Sequence, residues 1–103
     1  MIGFSMTITL KGKKEEEKFY ALWERAMENI HNVQGLQETV TAKVLDKKFT
    51  YHMFSLWNSE EDIETWLHNP VYHEVIRKQG DALIESFVSY KWEPIRPRKT
   101  RGI

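Results

Sequence analysis

A chain of 103 residues with 15 Lys+Arg against 15 Asp+Glu carries no formal net charge, has four tryptophans and lacks cysteine. It is one domain by size; the balanced charge argues against a generic electrostatic grip on nucleic acid, which needs a basic face, and the chain offers no disulfide frame, thiolate nucleophile or zinc–thiolate site. No run of about 18 apolar residues offers a membrane span, the first residues lack the pattern of a signal peptide, and the missing cysteine agrees with a cytoplasmic protein.

Residues 2–10 alternate cleanly. Phe4, Met6, Ile8 and Leu10 fall on one face, and Gly3, Ser5, Thr7 and Thr9 on the other, which predicts a strand. After Gly12, the charged run 13–18 leads into Phe19, Leu22, Trp23, Ala26, Met27 and Ile30 at spacings of three and four. That pattern predicts an amphipathic helix over 13–32, and its charge run reads as a solvated face rather than a recognition site. Gln34-Gly35 closes it. Residues 36–45 set Leu36, Val40, Ala42 and Val44 against Gln37, Thr39, Thr41 and Lys43, a second strand that ends in the turn Asp46-Lys47-Lys48.

Residues 49–57 form a third strand. Tyr51, Met53, Ser55 and Trp57 point one way and His52, Phe54 and Leu56 the other, so neither face is plainly polar. Ser59 is a good N-cap, Glu60, Glu61 and Asp62 suit a helix start, and Asp62 imitates a capping box with a shorter acid. Ile63, Trp66 and Leu67 share one face, predicting a helix near 59–68. Pro70 breaks it and begins another, with Val71, Val75, Ile76 and Leu83 turned inward. A last strand spans 85–93 and stops at Pro94. The domain is expected over 1–94, followed by a basic, loose tail over 95–103.

The order β-α-β-β-α-β predicts an α+β, ferredoxin-like fold: a four-stranded antiparallel sheet with helices on one side. The second sheet face still carries apolar side chains, and the economical cover is a second copy around a two-fold axis. A homodimer through the sheet face is therefore expected.

The stretch Ser55-Leu56-Trp57-Asn58-Ser59-Glu60-Glu61, then Trp66, then Asn69-Pro70-Val71-Tyr72-His73 resembles the antibiotic biosynthesis monooxygenase family of the dimeric α/β-barrel superfamily. The resemblance covers nearly the whole chain up to Pro94. One scaffold hosts many activities, so it implies the fold more firmly than the reaction. The family's haem-degrading branch uses an Asn on the first strand, a Trp after the capped turn and an axial His. Trp66 matches, but Ser5 stands in the place of the Asn and Ile76 in that of the His, which disfavours haem cleavage.

The chain also looks like the cofactor-free oxygenases of polyketide tailoring, in which a phenol or hydroquinone is deprotonated and its anion reacts with dioxygen. That resemblance implies no metal or flavin. It implies Trp66 and Phe54 as aromatic walls, His73 as base, and Tyr51 or Tyr72 as hydrogen-bond donor. His52 is a weaker pocket candidate. Each has a plainer reading. His73 is then a helix-start histidine bonded to backbone or water, His52 a satisfied core or interface histidine, and Trp66 the residue its helix must bury. Glu64 and His68 have a metal-compatible spacing without a third ligand. Three functions follow as expectations: an oxygenase for an aromatic or quinol-type molecule, a non-catalytic or stress-related dimer that binds a small ligand, and a haem-binding or haem-degrading protein.

Overall fold

Strand β1 (Ile2–Leu10) is one of the two inner strands of the sheet. A computed structural model describes residues 1–28, 30–70 and 77–95. The alternation expected for β1 holds, with Ile8 and Leu10 at 1% and 0% exposure on the helix side. β3 (Thr50–Trp57) pairs antiparallel to β1 from Ile2↔Trp57 to Thr9↔Thr50. β4 (Ile84–Trp92) flanks its other edge from Gly3↔Trp92 to Leu10↔Ile84. β2 (Leu36–Lys43) lies outside β3, which gives the order β2-β3-β1-β4. With helices α1 (Lys13–Met27), α2 (Glu60–Leu67) and α3 (Lys78–Asp81), the chain has the ferredoxin-like β-α-β-β-α-β arrangement.

α1 ends earlier than the predicted 32. Glu28 is still right-handed and donates its N–H to Glu24 O, and a 3-10 turn then covers Ile30–Asn32. Tighter 3-10 turns commonly finish or connect helices. Gly35 follows with φ +81°, a left-handed conformation that glycine adopts without strain. A Cβ there would also collide with the Asp62 carboxylate.

Strand β2 departs from the simple alternation. Leu36 pairs with Trp57, but Glu38 pairs with Leu56 and Thr39 with Ser55, so Gln37 is an extra residue in a β-bulge. The phase inverts there. Leu36, Thr39, Thr41 and Lys43 share the face of Trp57, Ser55, Met53 and Tyr51, whereas Val40 and Ala42 join Phe54 and His52 on the other.

α2 begins as the sequence predicts. Ser59 is extended at φ −154°, and its Oγ accepts from Asp62 N at 3.2 Å. The shorter acid changes the reciprocal half of the box, because the Asp62 carboxylate takes the Ser59 hydroxyl proton at 3.0 Å. Lys91 on β4 reaches Glu60 and Glu64 at 2.8 Å each and ties α2 to the sheet edge. The Lys91 hydrogen bond holds the Glu64 carboxyl below its usual range. The bonds to Glu60 and Glu64 raise the Lys91 ammonium above its own. Such exposed pairs position more than they stabilise.

The core gathers Ile8, Leu10, Phe19, Leu22, Tyr51 and Leu83 between sheet and helices. The predicted inward residues Val71, Val75 and Ile76 lie outside the described residues, as does the tail over 96–103. No described helix is long and apolar enough to cross a membrane.

Candidate functional site: an apolar cavity between sheet and helices

Four strands and the overlying helices leave a cavity of about 390 Å3. Its floor is the helix-side face of β1 and β3, with Phe4, Met6, Ile8, Met53, Ser55 and Trp57. α1 and the turn after it roof it with Phe19, Leu22, Trp23, Met27 and Ile30. α2 contributes Trp66 and Leu67, and β4 contributes Ile84, Phe87 and Ser89. An aromatic-rich concavity with few polar groups suits small apolar ligands.

Two indole N–H groups are committed within the protein. Trp23 Nε1 donates to Thr41 Oγ1 at 3.0 Å, and Trp57 Nε1 donates to Ser55 Oγ at 2.8 Å. Ser55 in turn donates to the Phe4 carbonyl at 3.1 Å. A buried indole whose N–H is satisfied offers mainly its carbon faces to a neighbour. Arg77 and Asp81 are the charged residues among the described lining. Both are exposed, as are Phe87 and Ser89, so the cavity is open to solvent beside α3 and β4, and exposed Thr39 lines it at the β2 edge.

The candidate residues fall into separate places. Trp66 lines the cavity. Phe54 borders it, but strand alternation turns its ring to the other sheet face, beside His52 at a centroid distance of 5.7 Å and 40% exposed. His52 Nδ1 meets Thr7 Oγ1 at 2.7 Å on that same outer face and is not part of the cavity lining. Tyr72 and His73 lie outside the described residues. No three described His, Asp or Glu side chains, Glu64 and His68 included, form a group able to hold a metal ion.

Tyr51 is 2% exposed and sits in the core beyond the cavity. Its one hydroxyl proton goes to Glu16 Oε2 at 2.7 Å, which leaves the oxygen to accept from the Tyr20 hydroxyl at 2.8 Å. Burial pushes the phenol's pKa well above its ordinary 10.0, and the hydrogen bond to Glu16 raises it further. The group therefore stays protonated at neutral pH. With the folded-state pKa above the unfolded one, its stabilisation is complete below pH 10.0 and is lost as pH rises beyond that. Tyr51→Phe should lower stability by about 1–2 kcal/mol at neutral pH. It should also flatten the loss of stability above pH 10.0, as read from urea unfolding at the two pH values. An unchanged alkaline slope would show that Tyr51 does not drive it.

Sequence reasoning missed Trp23 and Trp57 as cavity walls with tethered indoles, and Arg77 and Asp81 at the rim. The Phe19–Trp23 spacing pointed Trp23 inward, but no local signal named Thr41 or Ser55 as partner. The outer face is the apolar surface expected from the pattern: Val40, Phe54, Val88 and Tyr90 are 49%, 40%, 61% and 55% exposed. Trp92 lies there too, packed over Gly3 and donating its indole N–H to Ser5 Oγ at 2.8 Å.

Solved structures share this fold. SnoaB from Streptomyces nogalater, a cofactor-independent oxygenase, superposes with a TM-score of 0.78 at 16% identity, covering 99% of this chain and 97% of its own. A Deinococcus radiodurans protein designated an antibiotic biosynthesis monooxygenase gives 0.83 at 12% identity, covering 99% and 100%. A Nitrosomonas europaea protein of the same designation gives 0.81 at 11% identity, covering 93% and 100%. The curated proteins include no significant sequence match. The family model described as antibiotic biosynthesis monooxygenase matches residues 1–78, and the chain belongs to that family.

Proposed function

We propose that the protein is a cofactor-independent monooxygenase that acts, as a homodimer, on an aromatic or quinol-type small molecule. The observation that carries the reading is the aromatic-walled cavity of about 390 Å3 with Trp66 in its lining. Membership of the family and the likeness to SnoaB support the same reaction class. A phenol or hydroquinone held there loses a proton, and its electron-rich anion reacts with dioxygen. One oxygen atom enters the ring, the other leaves as water with two hydrogens from the substrate, and the substrate, which supplies all four electrons, ends as a quinone. Exclusion of water and flat aromatic walls favour that step. His73 is the proposed base, and Tyr72 a proposed donor to the developing oxyanion.

A second reading, a non-catalytic ligand binder, gains from the lining itself, whose described charged residues are Arg77 and Asp81 alone. The haem reading is the weakest, because Ser5, standing where that branch has its Asn, turns away from the cavity toward Trp92. The exposed apolar sheet face supports the homodimer, and the absence of cysteine agrees with a reducing compartment such as the cytoplasm.

The test is oxygen uptake with a panel of hydroquinones. Wild type should consume oxygen, and His73→Ala should lower the rate roughly 100-fold, the usual scale of a lost general base. Trp66→Ala should lower it as well while the fold, read by circular dichroism, persists. No uptake by wild type across the panel, with an aromatic ligand still binding, would favour the binder instead.

A further inference from the structure

The cavity distributes polarity unevenly. Its interior presents the carbon faces of Trp23 and Trp57, whose N–H groups are already bonded to Thr41 and Ser55. Charge enters from one short segment: Arg77, next to α3, and Asp81 at the end of α3. Between them Gly80 is buried, and a Cβ there would touch Leu22 and Ile84 at 3.8 and 4.0 Å, so the segment is seated against the roof and the β4 side of the cavity. Arg77 is exposed and forms no ion pair among the described residues, not even with Asp81 one turn on. An exposed arginine in the lining of an apolar slot, paired with no described carboxylate, can take one from a ligand.

We infer that the cavity selects aromatic molecules bearing a carboxylate, with the rings among the tryptophans and the carboxylate on Arg77. The inference rests on the cavity of the proposed function and names the substrate class that cavity prefers. Asp81 disfavours an anion at its own position and so confines the carboxylate to the Arg77 side. Because the site is open to solvent, the preference is salt-sensitive. A fixed planar fork makes arginine better than lysine here.

The experiment is isothermal titration of the full chain at low ionic strength with 2-naphthoate and with its methyl ester, which has the same rings without the charge. Wild type should bind the acid roughly tenfold more tightly than the ester, the low end for a charge-assisted bond. Arg77→Gln should erase the difference by weakening the acid alone, and Arg77→Lys should restore part of it. Equal binding of acid and ester by wild type, or a preference that survives in Arg77→Gln, overturns the inference and leaves the cavity reading standing. Failure of both compounds to bind overturns the two together.

Discussion

Ile63→Ala is expected to destabilise the protein by about 3–4 kcal/mol, within the range for emptying a fully buried aliphatic site. Ile63 is 0% exposed and is the buried residue of α2. An eight-residue helix does not hold itself together in water, so its packed face has to anchor it. Against a typical total stability of roughly 5–15 kcal/mol the loss is a large share. It should appear in urea unfolding as a lower midpoint with an unchanged slope. The same helix carries Trp66 and Leu67 into the cavity wall, so ligand binding should weaken in parallel. A cost below about 1 kcal/mol would mean that the Ser59 cap and the Lys91 bridges, rather than Ile63, keep α2 in place.

The second large effect concerns assembly. Val88 is 61% exposed on the outer face, where it pairs with Thr7. In a lone chain Val88→Glu alters a surface position and should shift stability by no more than about 0.5 kcal/mol. If a second copy covers that face, the same change buries an uncompensated carboxylate at a cost of several kcal/mol, weakening association about 1,000-fold. Light scattering of wild type should therefore give twice the 12.3 kDa chain mass, and Val88→Glu should give a single 12.3 kDa particle with an unaltered circular dichroism spectrum. A wild-type particle of one chain mass at micromolar protein, or a variant that still pairs, would remove the sheet face as the contact.

Local signals carried much of the fold into view. The alternation of Phe4, Met6, Ile8 and Leu10 names the buried face of β1 because a half-buried strand has a period of two, and Ser59 marks the start of α2 because capping is decided within three residues. What stayed hidden depends on residues far apart in the chain. Val40 reads like Leu36, four residues away, yet the two end on opposite faces because register with β3 admits a bulge at Gln37. Tyr51 was a plausible pocket phenol, and only the approach of α1 to β3 shows Glu16 and Tyr20 claiming its hydroxyl. Trp66, a wall only by what the resemblance implies, lines the cavity, and the rim at Arg77 and Asp81 is set by where Gly80 meets Leu22 and Ile84.

The slip at Gln37 also governs how relatives of this chain should be compared. A side chain's side of the sheet is a matter of odd and even position, and one unpaired residue swaps the two classes for everything beyond it. Against a protein without the bulge, an alignment that runs through β2 without a gap would match cavity-side positions of one to outer-face positions of the other. Substitution patterns at Thr39, Val40 and Thr41 carry meaning only once each sequence has been placed by its pairing with β3.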